Sequence, residues 1–202
     1  MKFVFLAALG ALLFLPTKTL CQRDYFTPEE IELIRDAQRI DQRIDVLTHA
    51  VDRRFAALNV DVKAPPFKEE KDKTWGVAPT GSRLELLIDV KSILQKAIDD
   101  IDNLSERPSS MPIEEPDPNV KPKKNEKKPP GFAELFPIAV RSLAAAAERY
   151  GPALKIELDK SKDPSEKGAI MDSLEMCDEI VASVAKLPAG PATPADPKKN
   201  KN

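Results

Sequence analysis

The residue types that most often carry chemistry are scarce in this sequence. It contains one histidine, His49, and two cysteines, Cys21 and Cys177, among 202 residues. A haem ligand, a di-iron centre or an activated cysteine would each need an imidazole that faces the protein interior. His49 falls nearly opposite the apolar stripe of its helix pattern. We therefore expect a solvated surface imidazole and no metal, haem or other cofactor.

Cys177 lies between Leu174 and Val181 at helical spacing, within an apolar stripe. This position favours a buried thiol that packs as a small hydrophobic residue. A homodimer linked through Cys177 stays open as the alternative, because an exported protein with a lone thiol can pair it with another chain.

The pattern of one acidic cluster and the absence of catalytic motifs both argue against an active site. Asp99, Asp100 and Asp102 alternate with the core positions Ile98 and Ile101. Calcium loops instead need oxygen ligands around a glycine turn and a terminal glutamate, so we expect a solvated acidic face. The sequence holds no G-x-S-x-G, no phosphate-cradling glycine loop and no H-E-x-x-H. We expect no enzymatic activity and no catalytic residue.

Two features are candidates for contact with a partner. Trp75 lies in a proline-rich loop, where it either covers one end of the helices or serves as an exposed anchor. A later lysine block is either a solvated linker or a weak contact with an anionic surface. Its members are Lys121, Lys123, Lys124, Lys127 and Lys128. No aromatic residue for base stacking lies between Trp75 and Phe132, and the net charge is −2, so we expect no specific nucleic-acid binding.

The start of the chain predicts export. Lys2 precedes an apolar run over 3–15, which is shorter than the ~20 residues that span a bilayer and fits a secretory signal peptide. Small residues favour a signal peptide over 1–21 cleaved after Cys21, with a cut after Thr19 as the alternative. An uncleaved anchor and a lipidated Cys21 also stay open. We expect a periplasmic or secreted protein without a transmembrane span in the mature chain.

Hydrophobic residues recur every three or four positions in four segments, which predicts four amphipathic helices. Helices are expected over about 28–59 and about 82–105, separated by a loop over 60–80, and two more over 131–187. Ile31 and Ile34 lie off the stripe of the first helix. Gly151 and Pro152 are expected to break or bend the third helix.

Capping boxes and composition mark the boundaries. Boxes are expected at Thr27–Glu30, Ser82–Glu85 and Asp163–Glu166. The segment 106–130 is rich in proline and charge, and the tail 188–202 in proline, alanine and lysine. Such segments bury too little apolar area to offset their ordering entropy, so both are predicted to be disordered.

The pattern predicts an all-α protein, an antiparallel four-helix bundle of two helical hairpins comprising 22–105 and 131–187. Export and the missing catalytic motifs lead us to expect a non-enzymatic interaction or structural role, with an unknown protein partner, in the cell envelope or secreted space. The alternative is a carrier that holds a small apolar ligand between the hairpins. Its expected contacts are Phe132, Phe136, Leu143 and Tyr150.

Overall fold

The computed structural model of this protein describes residues 23–65, 73–108 and 130–187. Within those ranges the chain is all-α, without a strand. Its helices are α1 (Pro28–Asp36), α2 (Ile40–Ala57), α3 (Arg83–Glu106), α4 (Phe132–Lys160) and α5 (Pro164–Ser183), and 3₁₀ turns cover Lys73–Trp75 and Val184–Lys186. The predicted signal peptide, most of the predicted linker and the tail lie outside the described residues. None of the described helices has the length and apolarity needed to cross a membrane.

Two of the three predicted capping boxes are confirmed. The Thr27 hydroxyl accepts a bond from the Glu30 backbone N–H, and the Glu30 carboxylate accepts one from the Thr27 N–H at 3.0 Å. Ser82 and Glu85 repeat this arrangement at the start of α3. These reciprocal bonds satisfy donors that a helix start otherwise leaves unpaired.

Only one of the two bonds of the predicted capping box at Asp163 is present, so this prediction is wrong for Glu166. Asp163 caps α5 by accepting a bond from the Ser165 N–H at 2.7 Å. Glu166, however, accepts bonds from the Ser161 hydroxyl at 2.7 Å and from Arg83 at 3.2 Å. A charged partner on α3 thus competes successfully with the local backbone for this carboxylate.

The prediction of one continuous helix over 28–59 is also wrong. α1 ends at Asp36 and α2 begins at Ile40, and the Arg43 guanidinium donates to the carbonyl of Ala37 in the break at 3.0 Å. The break lets α1 fold back so that the fully buried Glu30 reaches α2. No proline or glycine marks this position, because the cause is a contact distant in sequence.

α4 continues through the Gly151-Pro152 pair, so of the two expectations for this position, a break or a bend, the break is wrong. Proline removes one intrahelical donor and leaves the carbonyl of Glu148 without its usual partner. Pro152 and Glu148 are both exposed, so water can bond to that carbonyl and the helix tolerates the proline.

Ion pairs and hydrogen bonds give the relative directions of the helices. Ser142 bonds to Asp45 and Arg149 to Asp52, so α2 and α4 run parallel. The connection 161–163 reverses the chain between α4 and α5, which are therefore antiparallel.

The second pair of neighbours follows the same pattern. Arg83 pairs with Glu166 and Lys91 with Asp172, so α3 and α5 also run parallel. Antiparallel packing thus occurs within each hairpin, α2–α3 and α4–α5, whereas the helices that join the hairpins are parallel. The antiparallel packing that the sequence analysis predicted for a bundle of two hairpins therefore holds within each hairpin but not between the hairpins.

Within the described residues, one hydrophobic core lies between α2, α3, α4 and α5. It is built from the residues that recur at helical spacing, which is why each helix buries one face. Its least exposed large members are Ile44, Leu47, Phe55, Leu87, Ile93, Leu94, Leu135, Tyr150, Leu154 and Ile170. Cys177 is buried within the same core, which confirms the expectation of a packed thiol.

Candidate functional site

The only histidine lies against the only tryptophan. The rings of His49 and Trp75 meet edge to face with centroids 4.2 Å apart, and the Arg53 guanidinium lies 5.5 Å from the Trp75 ring centroid. His49 is half-buried, so the expectation of a solvated imidazole is wrong. Trp75 is only 6% exposed, which does not fit the hypothesis of an exposed anchor. Both side chains are shielded because the 3₁₀ turn packs against α2.

A polar concavity of about 300 Å³ lies between α2 and α4. Its polar side chains bond to one another across the two helices. The Ser142 hydroxyl donates to Asp45 at 2.9 Å, and Arg149 donates to Asp52 at 3.2 Å. Because the serine hydroxyl donates to a carboxylate rather than to an imidazole, this arrangement does not resemble a serine–histidine nucleophile.

Two buried acidic groups next to this concavity have perturbed pKa values. Burial raises the pKa of Asp52, and the ion pair with Arg149 opposes this effect only in part. Burial also raises the pKa of Tyr150 well above its ordinary value, and the nearby Asp52 carboxylate adds to the shift. The Tyr150 hydroxyl donates to the carbonyl of Thr48 at 2.9 Å, so it acts as a buried structural donor.

A cluster of five charged groups, of which Glu30, Arg54 and Asp89 are buried and Arg23 is exposed, joins the N-terminal segment, α1, α2 and α3. Glu30 accepts bonds from Arg54 at 2.6 Å and from Arg53 at 2.6 Å. Asp89 accepts a bond from Arg23 at 2.9 Å and lies 3.8 Å from Arg54. Burial raises the pKa of Asp89, and the two arginines oppose the shift. The cluster is internally paired and fixes α1 against the helices.

A second ionic cluster joins α3 to the hairpin of α4 and α5. Arg83, at the start of α3, donates to Glu157 of α4 at 2.6 Å and to Glu166 of α5 at 3.2 Å. Burial opposes ionisation of Glu157, but hydrogen bonds from Lys160 and Arg83 lower its pKa overall. One guanidinium therefore ties three helices together at this end.

An apolar groove of about 360 Å³ opens at the other end, where α3 and α5 finish. Aliphatic side chains form its walls, namely Ile98, Ile101, Val140, Leu143 and Ile180. Its edge is polar, with Asp102 on α3, Glu179 and Ser183 on α5, and Lys186 just beyond. A concave apolar surface with a few polar groups at its edge is the usual form of a small-molecule site, so we take this groove as the candidate functional site.

Only some of the residues predicted to contact a ligand lie at or near this groove. Leu143 lines it. Phe132 and Phe136, whose ring centroids are 4.9 Å apart, are half-buried and precede Val140 by two turns and one turn, respectively, on the same face of α4. Tyr150 does not belong to the site, because it is fully buried against Phe55 in the core. The five lysines of the block lie outside the described residues.

Sequence reasoning missed the walls that α3 and α5 contribute. Ile98 and Ile101 are assigned to the core from the sequence, and no role is predicted for Ile180. The available signal was a surplus of aliphatic residues near the ends of α3 and α5, where fewer neighbouring helices remain to cover them.

The described part of the chain contains no group of three or more histidine, cysteine, aspartate or glutamate side chains suited to a metal ion. Comparison with protein-family models, with curated proteins and with solved structures finds no match for this chain.

Proposed function

We propose that this chain is an exported four-helix-bundle protein with a non-enzymatic interaction or structural role in the cell envelope or secreted space. The observation that carries the proposal is the internal pairing of the buried charges. Glu30 pairs with two arginines, and Asp52 and Glu157 pair with Arg149 and Arg83. These groups lock helices together, which leaves the outer surfaces to make contacts. Substrate turnover by the purified chain would contradict the proposal.

The proposed contact with an anionic surface or partner is the lysine block over 121–128. Its test compares three proteins in capture from an envelope extract of the native host. They are the full chain, a variant with Lys123, Lys124 and Lys127 changed to glutamine, and a matched variant with Lys155, Lys162 and Lys167 changed to glutamine. The matched lysines are exposed on or between α4 and α5, so both variants remove the same charge.

We expect the full chain and the matched variant to recover the same partner. The block variant should not recover it, because the contact is electrostatic and salt screens it. Equal recovery by all three proteins would remove the lysine block from the proposal. Failure of every protein to recover a reproducible partner would contradict the interaction role itself.

The groove favours a second candidate function, a carrier of a small apolar ligand. Its walls are aliphatic, and Ala182 at its edge is exposed, so Ala182→Phe fills the groove without disturbing the core. Native mass spectrometry of the purified full chain should show a bound apolar species that is absent from Ala182→Phe. The matched Ala56→Phe variant, on the exposed face of α2, should retain it. A chain that carries no ligand would count against this candidate.

A further inference from the structure

The edge of the groove is acidic. Asp102 and Glu179 lie on it and are both exposed, whereas Lys186 is the only cation among the described residues that line it. The last turns of α3 and α5 contain no basic residue. Because a helix carries partial negative charge at its C-terminus, the ends of these two helices add to the negative potential.

The positive end of a third helix lies farther away. α4 begins at Phe132, and Val140 is the first residue of α4 in the groove wall. The two are eight positions apart, which corresponds to about 12 Å along the helix axis. The partial positive charge at the start of α4 is therefore more than a Debye length, about 8 Å at physiological ionic strength, from the part of the groove wall that Val140 forms.

We propose that the groove binds a cationic amphiphile, a single aliphatic chain with an ammonium head group. The aliphatic chain packs against Ile98, Leu143 and Ile180, and the ammonium lies at the edge between Asp102 and Glu179. The volume of about 360 Å³ is within the range of small-molecule sites. This inference rests on the second candidate function, because it names the class of ligand that the carrier would hold.

The test uses three probes that share one chain and differ in charge: decylammonium, decan-1-ol and decanoate, each below its aggregation concentration at neutral pH. Binding to the full chain, and in parallel to residues 22–202, is followed by isoleucine and leucine methyl NMR shifts. We expect decylammonium to bind about three- to tenfold more tightly than decan-1-ol, as for one or two surface charge contacts. Decanoate should bind most weakly, and the shifts should centre on Ile101, Leu143 and Ile180.

Two pairs of variants separate the apolar and charged contributions. Ala182→Phe should weaken decylammonium and decan-1-ol to the same extent, and Ala56→Phe should weaken neither. Asp102→Asn combined with Glu179→Gln should abolish the preference for decylammonium and leave decan-1-ol unchanged. The matched change, Glu148→Gln with Asp159→Asn, removes two exposed carboxylates of α4 away from the groove and should retain the preference.

The outcomes distinguish the two proposals. If decan-1-ol binds in the groove as tightly as decylammonium, the carrier function stands and the cationic ligand class is overturned. If no probe binds, or if binding is unaffected by Ala182→Phe, both are overturned.

Discussion

The guanidinium of Arg54 and the carboxylate of Glu30 form a buried bidentate ion pair. Their side chains are 1% and 0% exposed, and the second of the two bonds measures 2.6 Å. Arg54 also donates to the carbonyl of Tyr25 at 2.5 Å. This pair therefore fixes the short α1 helix and the segment before it against α2.

Glu30→Ala should reduce the free energy of unfolding by about 3–5 kcal/mol, because it leaves a buried guanidinium without its main partner. Denaturant unfolding measures this loss. The matched Glu32→Ala removes a carboxylate from an exposed pair with Arg35 and should cost less than about 1 kcal/mol. Equal losses for the two variants would contradict the role of the buried pair.

Trp75 should behave as a buried fluorophore. It is 6% exposed and is the only tryptophan of the chain, so native emission should be blue-shifted and little quenched by iodide. Unfolding in urea should shift the emission to longer wavelength and make quenching efficient. Efficient quenching of the native protein would restore the hypothesis of an exposed anchor.

Cys177 should be unreactive in the folded protein. Burial raises the pKa of its thiol to about 12, so hardly any thiolate exists at pH 8. Residues 22–202, which contain no other cysteine, should react with a disulfide reagent only after unfolding. Rapid labelling of the native chain, or a disulfide-linked dimer on a non-reducing gel, would favour the alternative of an interchain bond.

Asp52 and Glu85 should give pH dependences of opposite sign. Burial raises the pKa of Asp52 above its ordinary 3.8, so its protonated form stabilises the fold at low pH and this contribution is lost as pH rises through the folded pKa. Bonds from Ser82 lower the pKa of Glu85 below its ordinary 4.5, so its contribution is present near neutrality and lost as pH falls.

Free energies of unfolding between pH 3 and pH 7 test this contrast. The free energy of unfolding of Asp52→Asn, relative to that of the unchanged chain, should increase as pH rises. The relative free energy of unfolding of Glu85→Gln should decrease over the same range. Slopes of the same sign would contradict the assigned environments.

The sequence predicts those features that depend on residues close together in the chain. Thr27 and Ser82 cap their helices as expected, because each bonds to a residue three positions later. The break before Ile40 depends on a contact between Glu30 and Arg54, 24 positions apart, which a periodicity analysis does not detect. Ile34, which lies off the apolar stripe of a continuous helix, packs against the core from α1.

The candidate site was predictable only in part for a related reason. Leu143 is recognisable as an apolar residue of α4, but the groove also needs Ile101 of α3 and Ile180 of α5. Which helices are neighbours, and in which direction they run, depends on interhelical pairs such as Arg149–Asp52. Apolar spacing of three and four residues is equally compatible with parallel and antiparallel neighbours, so the sequence does not distinguish them.

The parallel packing of α2 and α4 is central to the arrangement around the shared core, and distances between spin labels test it most directly. Labels on exposed Gln42, Ala56 and Ile138 give two pairs within residues 22–202. The Asp45–Ser142 contact predicts a short distance between labels at 42 and 138. The pair 56 and 138 should be markedly longer, because 14 residues of α2 extend about 21 Å. The reverse order of the two distances would contradict the account.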